Sequence, residues 1–191
     1  MRTSPAGFAL NELNKIVERC NPGFDSARAV SWRKEEESWE VWLHSLFEPV
    51  LLPHLWRVFN FAERQSAREI ILLDVELNQS MKPRARESSV SAGHLLMQRR
   101  TPSGERLMAR IQAAIQSGEA FGHLATLYAV RCCAFSIPVR SAILGYLLQE
   151  LAAGAPGDLV RVKLLEASVE SVNEFLRISS NGLNEGLRVH G

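Results

Sequence analysis

Aspartate is nearly missing from this 191-residue chain, standing only at Asp25, Asp74 and Asp158. A magnesium site built on clustered carboxylates is therefore not expected. Lysine is as scarce, at Lys15, Lys34, Lys82 and Lys163, and the remaining cations are arginine. Lys+Arg 22 against Asp+Glu 21 leaves a net charge of +1, which offers no electrostatic footprint for nucleic acid or an acidic membrane. The arginine excess has two readings: a compositional bias of the source genome, or interface arginines whose planar fork pairs with carboxylates. The cysteines, Cys20, Cys132 and Cys133, make a poor disulfide framework. The adjacent pair reads as buried packing rather than a metal site.

Motifs for chemistry are missing too. No glycine cluster precedes a lysine in a phosphate-binding arrangement, and nucleophile-elbow and zinc-protease patterns are absent. Of His44, His54, His94, His123 and His190, no two stand at i, i+3 or i+4, the spacing that lets one helix present two imidazoles to a metal. The reading is a protein without enzyme activity and without a cofactor. The most apolar stretch, Leu124 to Leu151, is interrupted by Arg131, Pro138, Arg140 and Glu150, so it fails as a membrane span. The opening MRTSPAGFALNEL has no apolar core of signal-peptide length, and a cytoplasmic protein is expected.

What is present is helical periodicity. Trp39, Trp42, Leu43 and Leu46 fall at i, i+3, i+4 and i+7, with Glu36, Glu37 and Glu40 opposite. Pro49 and Pro53 are expected to bend or end that helix. Leu55, Phe59, Ala62, Ile70, Leu73 and Leu77 mark a second run, with Arg57, Arg64 and Arg68 facing away and Met81-Lys82-Pro83 stopping it. A weaker pattern covers 84–99, where serines and Gly93 lower helix propensity. Thr101-Pro102 reads as a cap and first-turn proline for a helix bearing Leu107, Met108, Ile111 and Ile115, closed by Ser117-Gly118.

From Leu124 to Phe135 the chain is apolar nearly all round, which marks a buried central helix. Ser136-Ile137-Pro138 ends it and starts another, carrying Val139, Ala142, Ile143, Tyr146, Leu147 and Leu151. After the turn Gly154-Ala155-Pro156-Gly157, a stripe of Val162, Leu165, Val169, Val172 and Leu176 spans one helix or two shorter ones. No strand or hairpin pattern occurs. The expectation is an all-α, compact, single-domain multi-helix bundle. It divides into a variable N-terminal segment over 1–30, a helical domain over 31–178, and a flexible tail over 179–191.

Candidate contact residues come from several signals. Trp32 lies in a polar stretch before a helix, and tryptophan is enriched at interface hot spots, whereas Trp39 and Trp42 sit among leucines and read as core. Arg84 to Ser89 places charge and hydroxyls at a helix start. It is either local dipole compensation and pairing, or a contact surface or inter-helix clamp. His123 follows Phe121-Gly122 at a helix start and reads as a capping or hydrogen-bonded core histidine.

Read in order, the middle and C-terminal segments resemble the urease accessory protein F family, UreF. The residues that carry the likeness are Arg86-Glu87-Ser88-Ser89 with Gly93-His94-Leu95-Leu96, then Gly122-His123 before the apolar helix. Ser136-Ile137-Pro138, Ala142 to Leu148, and Gly157 to Leu165 continue it. The likeness covers roughly Trp39 to Leu176. It departs from the family at Pro22-Gly23-Phe24-Asp25-Ser26-Ala27, which has no serine–tyrosine–serine step, and at Glu166-Ala167, which has no glycine–glutamine step.

The resemblance implies a non-enzymatic nickel-insertion chaperone, all helical and dimeric. Such a protein joins a UreD- or UreH-type accessory protein, recruits the UreG-type GTPase, and acts on apo-urease. Trp32, chosen on its setting, and the matched positions Arg86, His123, Tyr146 and Arg161 are the expected partner-binding set. Arg161→Ala is expected to fold but to lose complex formation. An alternative reading is a helical regulator holding a small apolar ligand between its helices, lined by Leu124 to Phe135. A helical enzyme using histidine chemistry would need a base and nucleophile pair that the sequence does not offer.

Overall fold

The computed structural model describes residues 10–22, 38–99, 106–154 and 158–188, with side chains given within them except at 153–162 and 181–188. These residues form helices and no strand. In chain order they are α1 (Leu10–Cys20), α2 (Trp39–Trp42), a π-helical stretch (Leu43–Leu51), α3 (Leu52–Glu63), α4 (Ala67–Ser80) and α5 (Pro83–Met97). Then follow α6 (Arg106–Ser117), α7 (Leu124–Ala134), α8 (Val139–Gly154) and α9 (Asp158–Arg188). The all-α bundle expected from the periodicity is the fold observed.

Helix α7 is the axis of the bundle. It packs against α1, α3, α4, α5 and α8. Every residue from Leu124 to Cys132 is buried, as an all-round apolar sequence requires. Each fully covered leucine here, such as Leu127, contributes about 1.5–3 kcal/mol of hydrophobic stabilisation. Around this axis, α1 buries Leu13, Val17 and Cys20 and lies mainly on α8. It falls in a segment where the sequence reading named no element, although those positions stand one helical turn apart.

Two expectations about helix ends are corrected. Of the bend or end expected at Pro49 and Pro53, the end is absent: Pro49 lies inside the π-helical stretch and Pro53 in the first turn of α3. A proline ring clashes with the carbonyl four residues back and has no N–H to give. The wider register accommodates this, with the Leu52 N–H reaching the carbonyl of Phe47, five residues back. Conversely, the single run from Leu55 to Leu77 is two helices. Gln65, at φ 56°, breaks it, and its side-chain amide returns to the Ala62 carbonyl.

Helix α9 is a single element, and it carries on through Gly182 and Gly186 to Arg188, where the sequence suggested a tail without periodicity. Helix propagation costs less than nucleation, so an established helix extends through residues of low propensity. Trp39 and Trp42 are core, stacked at 4.8 Å, with Phe47 stacked on Trp42 at 5.5 Å. Trp32, the Thr101-Pro102 cap and the Ala155 to Gly157 part of the turn lie outside the described residues.

Candidate functional site

The loop from Gly118 to His123 joins α6 to α7, and two other helices, α4 and α5, hold it. Gly118, at φ +80°, ends α6 in the left-handed region that glycine enters at little cost. The amides of Glu119 and Ala120 then turn back to the Ala114 carbonyl at 2.8 and 3.2 Å. Three residues on, the backbone amides of Phe121, Gly122 and His123 all point at one buried side chain, Asp74 of α4.

Asp74 is 1% exposed. Its Oδ2 accepts the N–H groups of Phe121 at 2.7 Å and Gly122 at 2.8 Å. Its Oδ1 accepts the N–H of His123 at 3.0 Å and the hydroxyl of Thr126 at 2.7 Å. These amides lead into the N-terminus of α7, where unpaired N–H groups and the helix dipole both favour a negative charge. An aspartate from a distant helix thus does the work of a local cap. The Ser89 hydroxyl of α5 accepts the next amide, that of Leu124, at 3.3 Å.

The clamp continues behind Asp74. Because Thr126 gives its hydroxyl proton to Asp74, its oxygen is left to accept from His54 Nε2, 2.9 Å away. This fixes the His54 proton on Nε2. Burial pushes the His54 pKa down to about 3, although Asp74 pulls the other way. The histidine is therefore neutral at ordinary pH.

On the outer side, Gly93 of α5 touches the loop backbone. A Cβ there would lie 1.9 Å from the Gly122 carbonyl oxygen, so only glycine fits. Gly122 itself sits at φ +77°. His94 Nε2 donates to the Phe121 carbonyl at 2.9 Å. The Phe121 backbone is thus held at both ends of its residue while the residue as a whole stays 41% exposed, beside the exposed His94. A backbone held this firmly presents an aromatic side chain with little left to order on contact.

The expected partner-binding residues occupy different places. His123 is the capping residue of α7 and has no exposed surface. Neither of its ring nitrogens has a hydrogen-bond partner. Burial lowers its pKa, against the pull of Asp74 and with the help of the Arg86 and His94 charges. Arg86, half-buried on α5, donates from Nη2 to the Met81 carbonyl at 3.1 Å. The two are thus brought close enough to interact electrostatically at the clamp.

Tyr146 is elsewhere, 2% exposed in the core of α8. Its ring meets Tyr128 edge-on at 5.6 Å, and its hydroxyl donates to the buried Glu150. Arg161 lies on α9, its side chain outside the described set, and Trp32 lies outside the described residues altogether.

Asp74, which organises the whole loop, escaped the sequence reading except as evidence against a magnesium site. One signal was available: Asp74 shares the apolar face of α4 with Ile70, Leu73 and Leu77 at helical spacing, and a carboxylate in that position must find partners. In the sequence Arg131 stands only as an interruption of an apolar run. It is 1% exposed, donating from Nε to the Cys20 carbonyl at 2.6 Å and from Nη1 to the Arg99 carbonyl at 3.2 Å. These carbonyls lie at or just beyond the C-terminal ends of α1 and α5, where a cation complements the helix dipole.

Clefts of about 580 and 620 Å³ lie at the surface. One is bounded by Trp56, Ile137 and Pro138 and meets the Leu124 to Phe135 run only at Cys133; the other lies between α4 and α6. Among the described residues no group of metal-ligating side chains assembles, and no helix is long and apolar enough to cross a membrane.

The described residues thus form an all-helical bundle with a carboxylate-clamped loop and an exposed, backbone-anchored phenylalanine. The UreF family model matches residues 34–154, and this chain belongs to that family of urease accessory proteins. No curated protein and no solved structure gives a significant match to the chain.

Proposed function

We propose that this chain serves urease maturation as a protein–protein adaptor. In this reading it joins a UreD- or UreH-type accessory protein and a UreG-type GTPase to apo-urease, so that nickel is delivered by the assembly. It works in the cytoplasm as a homodimer and has no catalytic step of its own. The observation that carries the reading, beside family membership, is the Asp74 clamp holding Phe121 at an exposed edge. Such an anchor contributes to affinity because its backbone is ordered before the partner arrives.

Within the expected set, Arg86 and His123 act by keeping this edge in shape, and Tyr146 by keeping α8 packed. Trp32 and Arg161 are proposed as contact residues. The test is co-purification with a UreD-type partner and a UreG-type GTPase. Phe121→Ala and Arg161→Ala should each keep the helical spectrum of the parent and retain the partners at least tenfold less well, roughly the loss of one hot-spot side chain. Undiminished retention by both variants would sink the proposal.

A further inference from the structure

We propose that Cys20 and Cys132 are a redox modification site: a peroxide converts the pair to a reversible disulfide that ties α1 to α7. The two sulfurs lie 3.3 Å apart although the residues are 112 positions apart in the chain. Closing that contact to a disulfide bond length requires a shift of roughly 1.3 Å. Both residues are fully buried, and both are free thiols in this structure. Cys133 is half-buried and follows Cys132 on α7. Adjacent helical positions point about 100° apart, which turns Cys133 away from the pair.

The surroundings separate the two roles. The Cys132 thiol donates to the Cys20 sulfur. That hydrogen bond, with the charges of Arg131 and Arg19 and against burial, holds the Cys20 thiol below its ordinary pKa. Burial and the same neighbour push Cys132 well up. Arg131 is fixed beside the pair by its 2.6 Å hydrogen bond to the Cys20 carbonyl. Cys20 is therefore the attacking thiolate and Cys132 the resolving thiol.

In the first step Cys20 gives its proton to solvent, and the thiolate attacks one oxygen of hydrogen peroxide. The O–O bond breaks, Cys20 becomes a sulfenic acid, and the departing hydroxide takes up a proton as water. In the second step the Cys132 sulfur attacks the sulfenic sulfur. The S–S bond forms, the S–O bond breaks, and hydroxide leaves with the Cys132 proton as a second water. Two thiols have been oxidised by two electrons and one peroxide reduced to two waters.

Cys20 is the last residue of α1, so the peroxide reaches the pair when that helix end opens. Helix α1 also lies outside the span matched by the family model. The bond would anchor this N-terminal element to the central helix of the family domain.

The test is treatment of the whole chain with hydrogen peroxide, followed by thiol counting under denaturing conditions and peptide mapping. The expected result is a fall from three free thiols to one, a linked peptide pair containing Cys20 and Cys132, and full return of the thiols with dithiothreitol. Heat unfolding of the oxidised form should shift upward, because the bond closes a long loop of the unfolded chain. Cys133→Ala should leave the linkage intact, and Cys20→Ala should abolish it. A linkage through Cys133 would overturn the proposal. So would persistence of all three thiols, or oxidation to sulfinic acid without a cross-link. Mapping of the unaltered chain decides this whether or not a variant folds.

Discussion

The carboxylate of Asp74 accepts the backbone N–H of Gly122 at 2.8 Å, across 48 positions of the chain and entirely within the protein interior. Removing that carboxylate strands several buried donors at once. Asp74→Ala should lower stability by about 3–5 kcal/mol, since each buried donor left without a partner costs on the order of 1–3 kcal/mol. Urea unfolding would read this directly. A change below about 1 kcal/mol would mean that the loop re-forms its bonds with water.

Gly93 and Gly118 offer a matched contrast. A methyl group at Gly93 meets the Gly122 carbonyl at 1.9 Å, whereas one at Gly118 meets nothing within 4 Å but must adopt φ +80°. Gly93→Ala should therefore cost about 2–4 kcal/mol through displaced backbone, and Gly118→Ala about 1–2 kcal/mol through conformation alone. Melting both variants beside the parent checks the order. Equal losses would show that α5 yields to the added methyl.

Acid should weaken the fold through His54. Its folded pKa is depressed to about 3 by burial, so the unfolded chain takes up a proton that the folded chain refuses. The histidine's contribution is complete above about pH 6.5 and is lost as pH falls toward 3, for a total of about 3–5 kcal/mol. Denaturant midpoints at stepped pH would show this limb. His54→Gln, which keeps a donor toward Thr126, should flatten it.

Alkali should act through Glu150. Its folded pKa is raised to about 8 by burial, against a hydrogen bond from Tyr146. Here the folded chain holds a proton that the unfolded chain releases. The contribution is complete below about pH 4.5 and lost as pH rises to 8, again by about 3–5 kcal/mol. Glu150→Gln should remove this slope and leave the variant more stable than the parent at pH 9. A parent with no slope between pH 5 and 8 would contradict the assignment.

Much of the bundle was legible because burial leaves a period in the sequence. The all-round apolarity from Leu124 to Phe135 placed the central helix, and Met81-Lys82-Pro83 placed the break between α4 and α5. The family likeness, read on Arg86, Gly93, Gly122 and the following apolar helix, falls within the matched span of 34–154, whereas its part from Gly157 to Leu176, with Arg161, lies beyond that span. Pro49 misled because a π-helical register admits a proline that an α-helical one would not. Asp74 was hidden for a different reason. Its partners are main-chain amides, which have no letter in a sequence, and they lie 47 to 49 positions away. The Cys20–Cys132 contact was equally out of reach, since a spacing of 112 positions carries no local period.

The Asp74 clamp also behaves as a chelate. One side chain grips three successive amides, so once the first bond forms, the others close within a single small ring at high effective concentration. Multidentate attachment of this kind releases in one step. The Phe121 edge should therefore have two conditions only, seated or detached, and a protein that docks on it meets a surface that is either whole or gone.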